Sequence, residues 1–134
     1  MIVVDTHIIG YLYLTSERSM QAEQALLKDP QWAAPLLWRS EFRNVLALYI
    51  RRKILGLQEA QQIMDEATGL MLGQEYDIVS THVLNLVAAS TCSAYDCEFV
   101  ALAQDLDVPL VTVDRQILEQ FPEMTVALEN YVAS

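Results

Sequence analysis

Leu110-Val111-Thr112-Val113-Asp114 is the stretch that decides the architecture: apolar and β-branched residues run without a polar break and end on an acid. A run of this kind reads as a strand buried on both faces, the type found in parallel sheets. A second copy of the pattern opens the chain as Ile2-Val3-Val4-Asp5. In both runs the acid is the last residue, so it stands at the carboxyl edge of the sheet, where α/β proteins bind their ligands. Two carboxylates brought together at that edge repel one another, and burying them is costly unless a cation compensates. A hard divalent ion such as Mg²⁺ or Mn²⁺ suits the task because it prefers oxygen ligands.

Between and around these strands the pattern alternates. His7 to Leu14 reads as a short helix and Glu17 to Lys28 as an amphipathic one, stopped by Asp29-Pro30. Trp32-Ala33-Ala34 is expected as a short strand, with Pro35 in the first turn of a helix that runs to about Lys53 and stops at Gly56. Gln58 to Leu72 reads as a helix ended by Gly73, and Tyr76 to Val79 as a brief strand. Ser80 or Thr81 is expected to cap a helix over Val83 to Ser90, and Ser93 to Leu106 forms the next. After the Leu110–Val113 strand come a short helix, Arg115 to Phe121, and an edge strand, Met124 to Leu128. Strands alternating with helices argue for a central parallel sheet with helices on both faces, an α/β fold in three layers. No repeat or low-complexity segment interrupts it, and 134 residues fit a single domain spanning 1–134.

Composition narrows the function. Hydrophobic residues make up 53% of the chain, enough for a core and some partner surface. The formal net charge of −10 argues against a general nucleic-acid binder, which shows a basic footprint. Yet five of the eight basic residues, Arg39, Arg43, Arg51, Arg52 and Lys53, crowd one segment that also holds Glu41. A solvated helix face accounts for that cluster as well as a phosphate contact does. Cys92 and Cys97 have neither CxxC nor zinc spacing and are expected as reduced, packed thiols. No basic leader or bilayer-length apolar run is visible, and the expected compartment is the cytoplasm.

Four acids then compete with simpler explanations. Asp5 and Asp114 can each cap the helix that follows. Glu41 lies on a stripe with Val45, Leu48 and Arg52, at the margin of a buried helix face, where spacing alone favours a solvated glutamate on the helix flank over a metal ligand. Asp96 completes the capping-box pattern Ser93-Ala94-Tyr95-Asp96. A cap at the sheet edge can still present its carboxylate to a metal. His7 reads as a structural histidine on an apolar segment, and no serine has the partners of a nucleophile. A phosphatase of the Asp-x-Asp type needs an acid where His7 stands, and a receiver-type regulator needs a lysine near the last strand, whereas none follows Lys53.

Val4-Asp5-Thr6, Ser40-Glu41, the stretch Ser93-Ala94-Tyr95-Asp96-Cys97-Glu98-Phe99-Val100-Ala101-Leu102-Ala103 and the closing Leu110-Val111-Thr112-Val113-Asp114 together carry a resemblance. In order, spacing and length the chain resembles the PIN-domain ribonucleases and, among them, the VapC-like toxins of bacterial toxin–antitoxin pairs. The resemblance implies a three-layer α/β/α fold and Mg²⁺- or Mn²⁺-dependent cleavage of single-stranded RNA. It also implies a homodimer and a small antitoxin protein that blocks the site. It implies Asp5, Glu41, Asp96 and Asp114 as metal-binding and catalytic residues, with Thr112 and Thr6 in support. Arg51, Arg52 and Lys53 are the candidates for contact with RNA phosphates. A catalytically inert PIN-like module that binds RNA or protein is the alternative.

Overall fold

The computed structural model describes Met1–Ser134 and contains five strands and eight helices. In chain order these are β1 (Ile2–Val4), α1 (Thr6–Tyr13), α2 (Ser19–Lys28), β2 (Trp32–Pro35), α3 (Leu37–Arg51), α4 (Leu57–Leu70) and β3 (Glu75–Tyr76). They continue with α5 (Ser80–Ala88), α6 (Ala94–Leu106), β4 (Leu110–Thr112), α7 (Arg115–Gln120), β5 (Thr125–Ala127) and α8 (Leu128–Ala133). The strands form one all-parallel sheet in the order β3-β2-β1-β4-β5. Every residue of β1, β2 and β4 is buried, as continuous apolar runs predict for central parallel strands. Helices cover the sheet: α6 lies across β1, β2 and β4 and carries α5, while α1, α2, α3 and α4 pack among themselves and α8 joins α2 to β4 and β5.

Strand order puts β1 and β4 side by side, with Val3 opposite Leu110 and Val4 opposite Val111. The residues that leave these two strands at their carboxyl ends are Asp5 and, after Val113, Asp114. Each becomes the N-cap of the next helix: Asp5 Oδ1 accepts from the Ile8 N–H at 3.2 Å and Asp114 Oδ1 from the Ile117 N–H at 3.0 Å. The capping role and the sheet-edge position thus coincide in both residues.

Several local expectations are corrected. Pro35 ends β2 instead of starting α3. The neighbouring N–H groups of Ala34 and Leu36 point to β3, so the N–H that proline lacks would face β1, whose pairing has already ended. Gly56 starts α4 instead of stopping α3, with Glu59 reaching back to its N–H at 3.1 Å. The stop for α3 is Lys53, whose φ of 59° is left-handed. Neither Ser80 nor Thr81 caps α5, which begins at Ser80 after Val79 and has no side-chain cap. Only Glu75–Tyr76 pairs where a strand over residues 76–79 is expected. The edge strand stops at Ala127, and the chain goes on into α8, whose C-terminal carbonyls are held by Lys28: Nζ donates to Tyr131 O at 2.6 Å and Ser134 O at 3.2 Å.

Candidate active site

Asp5, Glu41, Asp96 and Asp114 line a single cavity of about 240 Å³, together with Thr6, His7, Asn44, Val45, Phe99 and Ile117. Four elements bring the acids there. Asp5 and Asp114 leave adjacent strands; Glu41 comes from the second turn of α3; Asp96 comes from the first turn of α6, whose N-cap Ser93 accepts from the Asp96 N–H at 3.1 Å. Ser93 thus supplies the capping half of the expected box, and its hydroxyl is the one protein partner of the Asp96 carboxylate.

Asp5 is the buried centre, 6% exposed. Its Oδ2 accepts from the Thr112 hydroxyl and from the Val113 N–H at 3.2 Å, and its Oδ1 from Ile8. Thr112 in turn accepts from the Asp114 N–H at 3.0 Å, so one hydroxyl ties the ends of β1 and β4 together. Thr6 performs the matching task across the cavity, donating to Glu41 Oε1 at 2.7 Å. Glu41 Oε2 is left without a protein donor.

Charge within the cavity is poorly compensated. Burial pushes the Asp5 carboxyl above the usual carboxylate range, against the pull of the Thr112 hydrogen bond, His7 and the Val113 and Ile8 N–H groups. Burial also raises Glu41; the Thr6 hydrogen bond and His7 lower it, while Asp96 and Asp5 push it further up. Asp96 is raised first by burial, then by the Asp114 and Asp5 charges, with Ser93 and His7 opposing. No lysine or arginine pairs with any of the four acids, and the nearest imidazole nitrogen, His7 Nδ1, is 3.9 Å from Asp5 Oδ1.

This donor set fits a hard divalent cation: carboxylate oxygens from four elements, a hydroxyl beside them, no thiolate, and negative charge that the protein leaves unpaired. As the side chains stand, no three of these groups converge tightly around one point.

Two lining residues escaped the reading of the sequence. Asn44 follows Glu41 by three residues on α3, a spacing that puts it on the same helix face. His7 stands at the rim with its side chain 66% exposed, a solvent-facing position and not the packed one expected. Arg51, Arg52 and Lys53 are exposed and line none of this cavity. Ten residues of helix separate Glu41 from Arg51, about 15 Å at 1.5 Å per residue. Arg39 is engaged elsewhere, donating to Glu75 at 2.5 and 2.6 Å, and the Arg43 guanidinium donates to Arg39 O at 3.1 Å.

An all-parallel α/β fold with an acidic cavity at the carboxyl edge of its sheet defines a class, the open-sheet α/β proteins. The PIN domain family model matches residues 2–123, and the chain belongs to that family. It is 32% identical over 126 residues to Ribonuclease VapC3 of Pyrobaculum aerophilum, covering 92% of this chain and 96% of that one. Among solved structures it is similar to PAE2754 from Pyrobaculum aerophilum, with a TM-score of 0.77 at 16% identity over 98% of this chain and 93% of the other. It is also similar to a chain of a toxin–antitoxin complex from Klebsiella pneumoniae, with a TM-score of 0.68 at 19% identity over 96% and 98%. These two likenesses establish the fold. No helix is long and apolar enough to cross a membrane.

Proposed function

We propose that this chain is a divalent-metal-dependent endoribonuclease that hydrolyses phosphodiester bonds of single-stranded RNA and acts as the toxin of a toxin–antitoxin pair. The observation that carries the reading is the meeting of Asp5, Glu41, Asp96 and Asp114 in one cavity, in a chain whose relative is a ribonuclease. Those four residues would hold the ion, Mg²⁺ or Mn²⁺. When bound, it would stabilise charge on the phosphate and lower the pKa of a coordinated water.

The remaining chemistry belongs to the chain. Thr112 and the Val113 and Ile8 N–H groups bond both oxygens of Asp5 and so fix the orientation of its carboxylate. Thr6 fixes Glu41 through Oε1 and leaves Oε2 to accept a proton from an attacking water. Burial raises the proton affinity of that carboxyl, the direction a general base requires. Phe99 and Ile117 form an apolar wall that limits water around the acids. A small antitoxin covering the cavity, and a homodimer, are the partners we propose.

The test is incubation of purified protein with labelled single-stranded RNA in Mn²⁺, Mg²⁺ or EDTA. The expected result is cleavage with metal and none with EDTA, and the same loss in Asp96→Asn with metal present. Intact RNA under every metal condition would favour an inert binding module.

A further inference from the structure

Beside the acidic cavity a larger one, of about 510 Å³, opens at the same end of the sheet. Thr112 and Val113 line the larger cavity, and Asp114, next in the chain, lines the acidic one. Only the carboxyl end of β4 lies between them. The two cations of this second cavity are Arg18, just before α2, and Arg115, the first residue of α7.

Most cations of this chain near other elements are engaged by the protein itself: Arg39 by Glu75, Arg43 by a carbonyl, Lys28 by the end of α8. Arg18 and Arg115 are exposed and form no ion pair, and the one side chain Arg18 meets is Tyr11. Arg51, Arg52 and Lys53 are equally unengaged, but they do not border the acids. The Arg18 guanidinium carbon stands 5.9 Å from the centre of the Tyr11 ring. Tyr11 itself lines a third cavity with Thr6 and His7, two residues of the acidic site. Arg18 and Arg115 line this groove together, and the end of β4 borders both the groove and the acidic cavity. Glu17, Glu119 and Glu129 share the groove, so it offers no broad positive field. What it offers is two planar, doubly donating groups of the kind that clasp a phosphate at close range.

We propose that Arg18 and Arg115 hold a phosphate adjoining the scissile one, so that the RNA strand runs from the acidic cavity across the end of β4 into this groove. The proposal rests on the ribonuclease reading and makes these two arginines positioning residues for its substrate.

The test compares the full chain with R18Q/R115Q on two substrates in Mn²⁺: labelled single-stranded RNA, and a dinucleotide whose only phosphate is the scissile one. With RNA, KM rises roughly tenfold if the two exposed contacts together equal one good charge-assisted bond. Dinucleotide turnover stays at the parent rate. In EDTA, RNA binding of R18Q/R115Q has a salt slope shallower by about 0.7, from the loss of one neutralised phosphate on a single strand. R18K/R115K, which keeps the charge, retains most of the slope, and R51Q/R52Q/K53Q keeps the parent slope. An unchanged slope and KM in R18Q/R115Q would overturn the proposal and leave the arginines to an acidic protein partner. Equal loss on both substrates would also overturn it, since the change would then reach the acids. If the parent cleaves no RNA, the ribonuclease reading itself fails; if it cleaves and R18Q/R115Q behaves as parent, only this inference fails.

Discussion

Replacing Asp5 and Asp96 by asparagine should give the same loss of activity with opposite effects on metal-free stability. Asp5 receives three hydrogen bonds on two oxygens, from Ile8, Thr112 and Val113. An asparagine has one carbonyl oxygen. Turned toward Thr112 and Val113, it satisfies both and sets its NH₂ group against the Ile8 N–H. The Ile8 N–H keeps the carbonyl oxygen of residue 5 at 3.1 Å, so the buried donor left without an acceptor is the amide NH₂ itself, at a cost of about 1–3 kcal/mol. Removal of a buried negative charge offsets part of this. A net loss near 1 kcal/mol lowers the melting temperature by about 3–5 °C for a domain of this size. Asp96 differs, because Ser93 is the one hydrogen-bonding partner its carboxylate has, against three for Asp5, and it is repelled by Asp114 and Asp5. Asp96→Asn should therefore melt at or above the parent temperature. The assay is thermal melting in EDTA, paired with RNA cleavage in Mn²⁺. Both variants should lose more than the roughly 10–100-fold that removal of an outer-shell metal partner costs. An Asp5→Asn protein more stable than its parent would refute the hydrogen-bond reasoning. An Asp96→Asn protein that cleaves at the parent rate would remove Asp96 from the site.

Three further outcomes follow from the same geometry. Mn²⁺ should raise the melting temperature, by the equivalent of about 2.7 kcal/mol at a hundredfold excess over its Kd, and Asp114→Ala should blunt the rise in a melting titration. The folded-state carboxyls of Asp5, Glu41 and Asp96 are raised by burial, so the folded protein binds their protons more tightly than the unfolded chain does. Their penalty is then present at neutral pH and disappears as pH falls toward the ordinary range of about 4. Melting in EDTA should accordingly rise on mild acidification, while the increment from Mn²⁺ shrinks as protons compete for the ligands. Thr112→Val should deprive Asp5 of a donor and the Asp114 N–H of its acceptor, costing about 1–3 kcal/mol in denaturant unfolding; a variant as stable as the parent would show that this hydroxyl does not tie the strands.

What could be read from the residues was what local chemistry determines. The β-branched runs ending in Asp5 and Asp114 located both central strands, because burial on two faces leaves an unbroken apolar pattern. Helical spacing correctly set Glu41 at the edge of a buried face. The roles of Gly56 and Pro35 were misjudged because each depends on the neighbour: Gly56 on Glu59 reaching back, Pro35 on which side β1 stops pairing. Helix α8 was missed altogether. Its six residues carry too little periodicity to register, and Lys28, more than a hundred positions earlier, holds its end. The Arg18–Arg115 groove was invisible for the same reason, since the two residues are distant in sequence and neither belongs to a basic cluster. The clustered Arg51, Arg52 and Lys53 drew attention through composition, which carries no information about distance from the acids.

The proposed activity requires that Asp5, Glu41, Asp96 and Asp114 together hold a catalytic divalent ion. Anomalous scattering from crystals grown with Mn²⁺ tests it most directly. The predicted result is a manganese peak in the cavity at about 2.0–2.6 Å from oxygens of at least two of these carboxylates, the range for hard divalent ions, and its loss in Asp5→Asn. A fully resolved cavity with no manganese at millimolar Mn²⁺, or a peak that persists unchanged in Asp5→Asn, would contradict it.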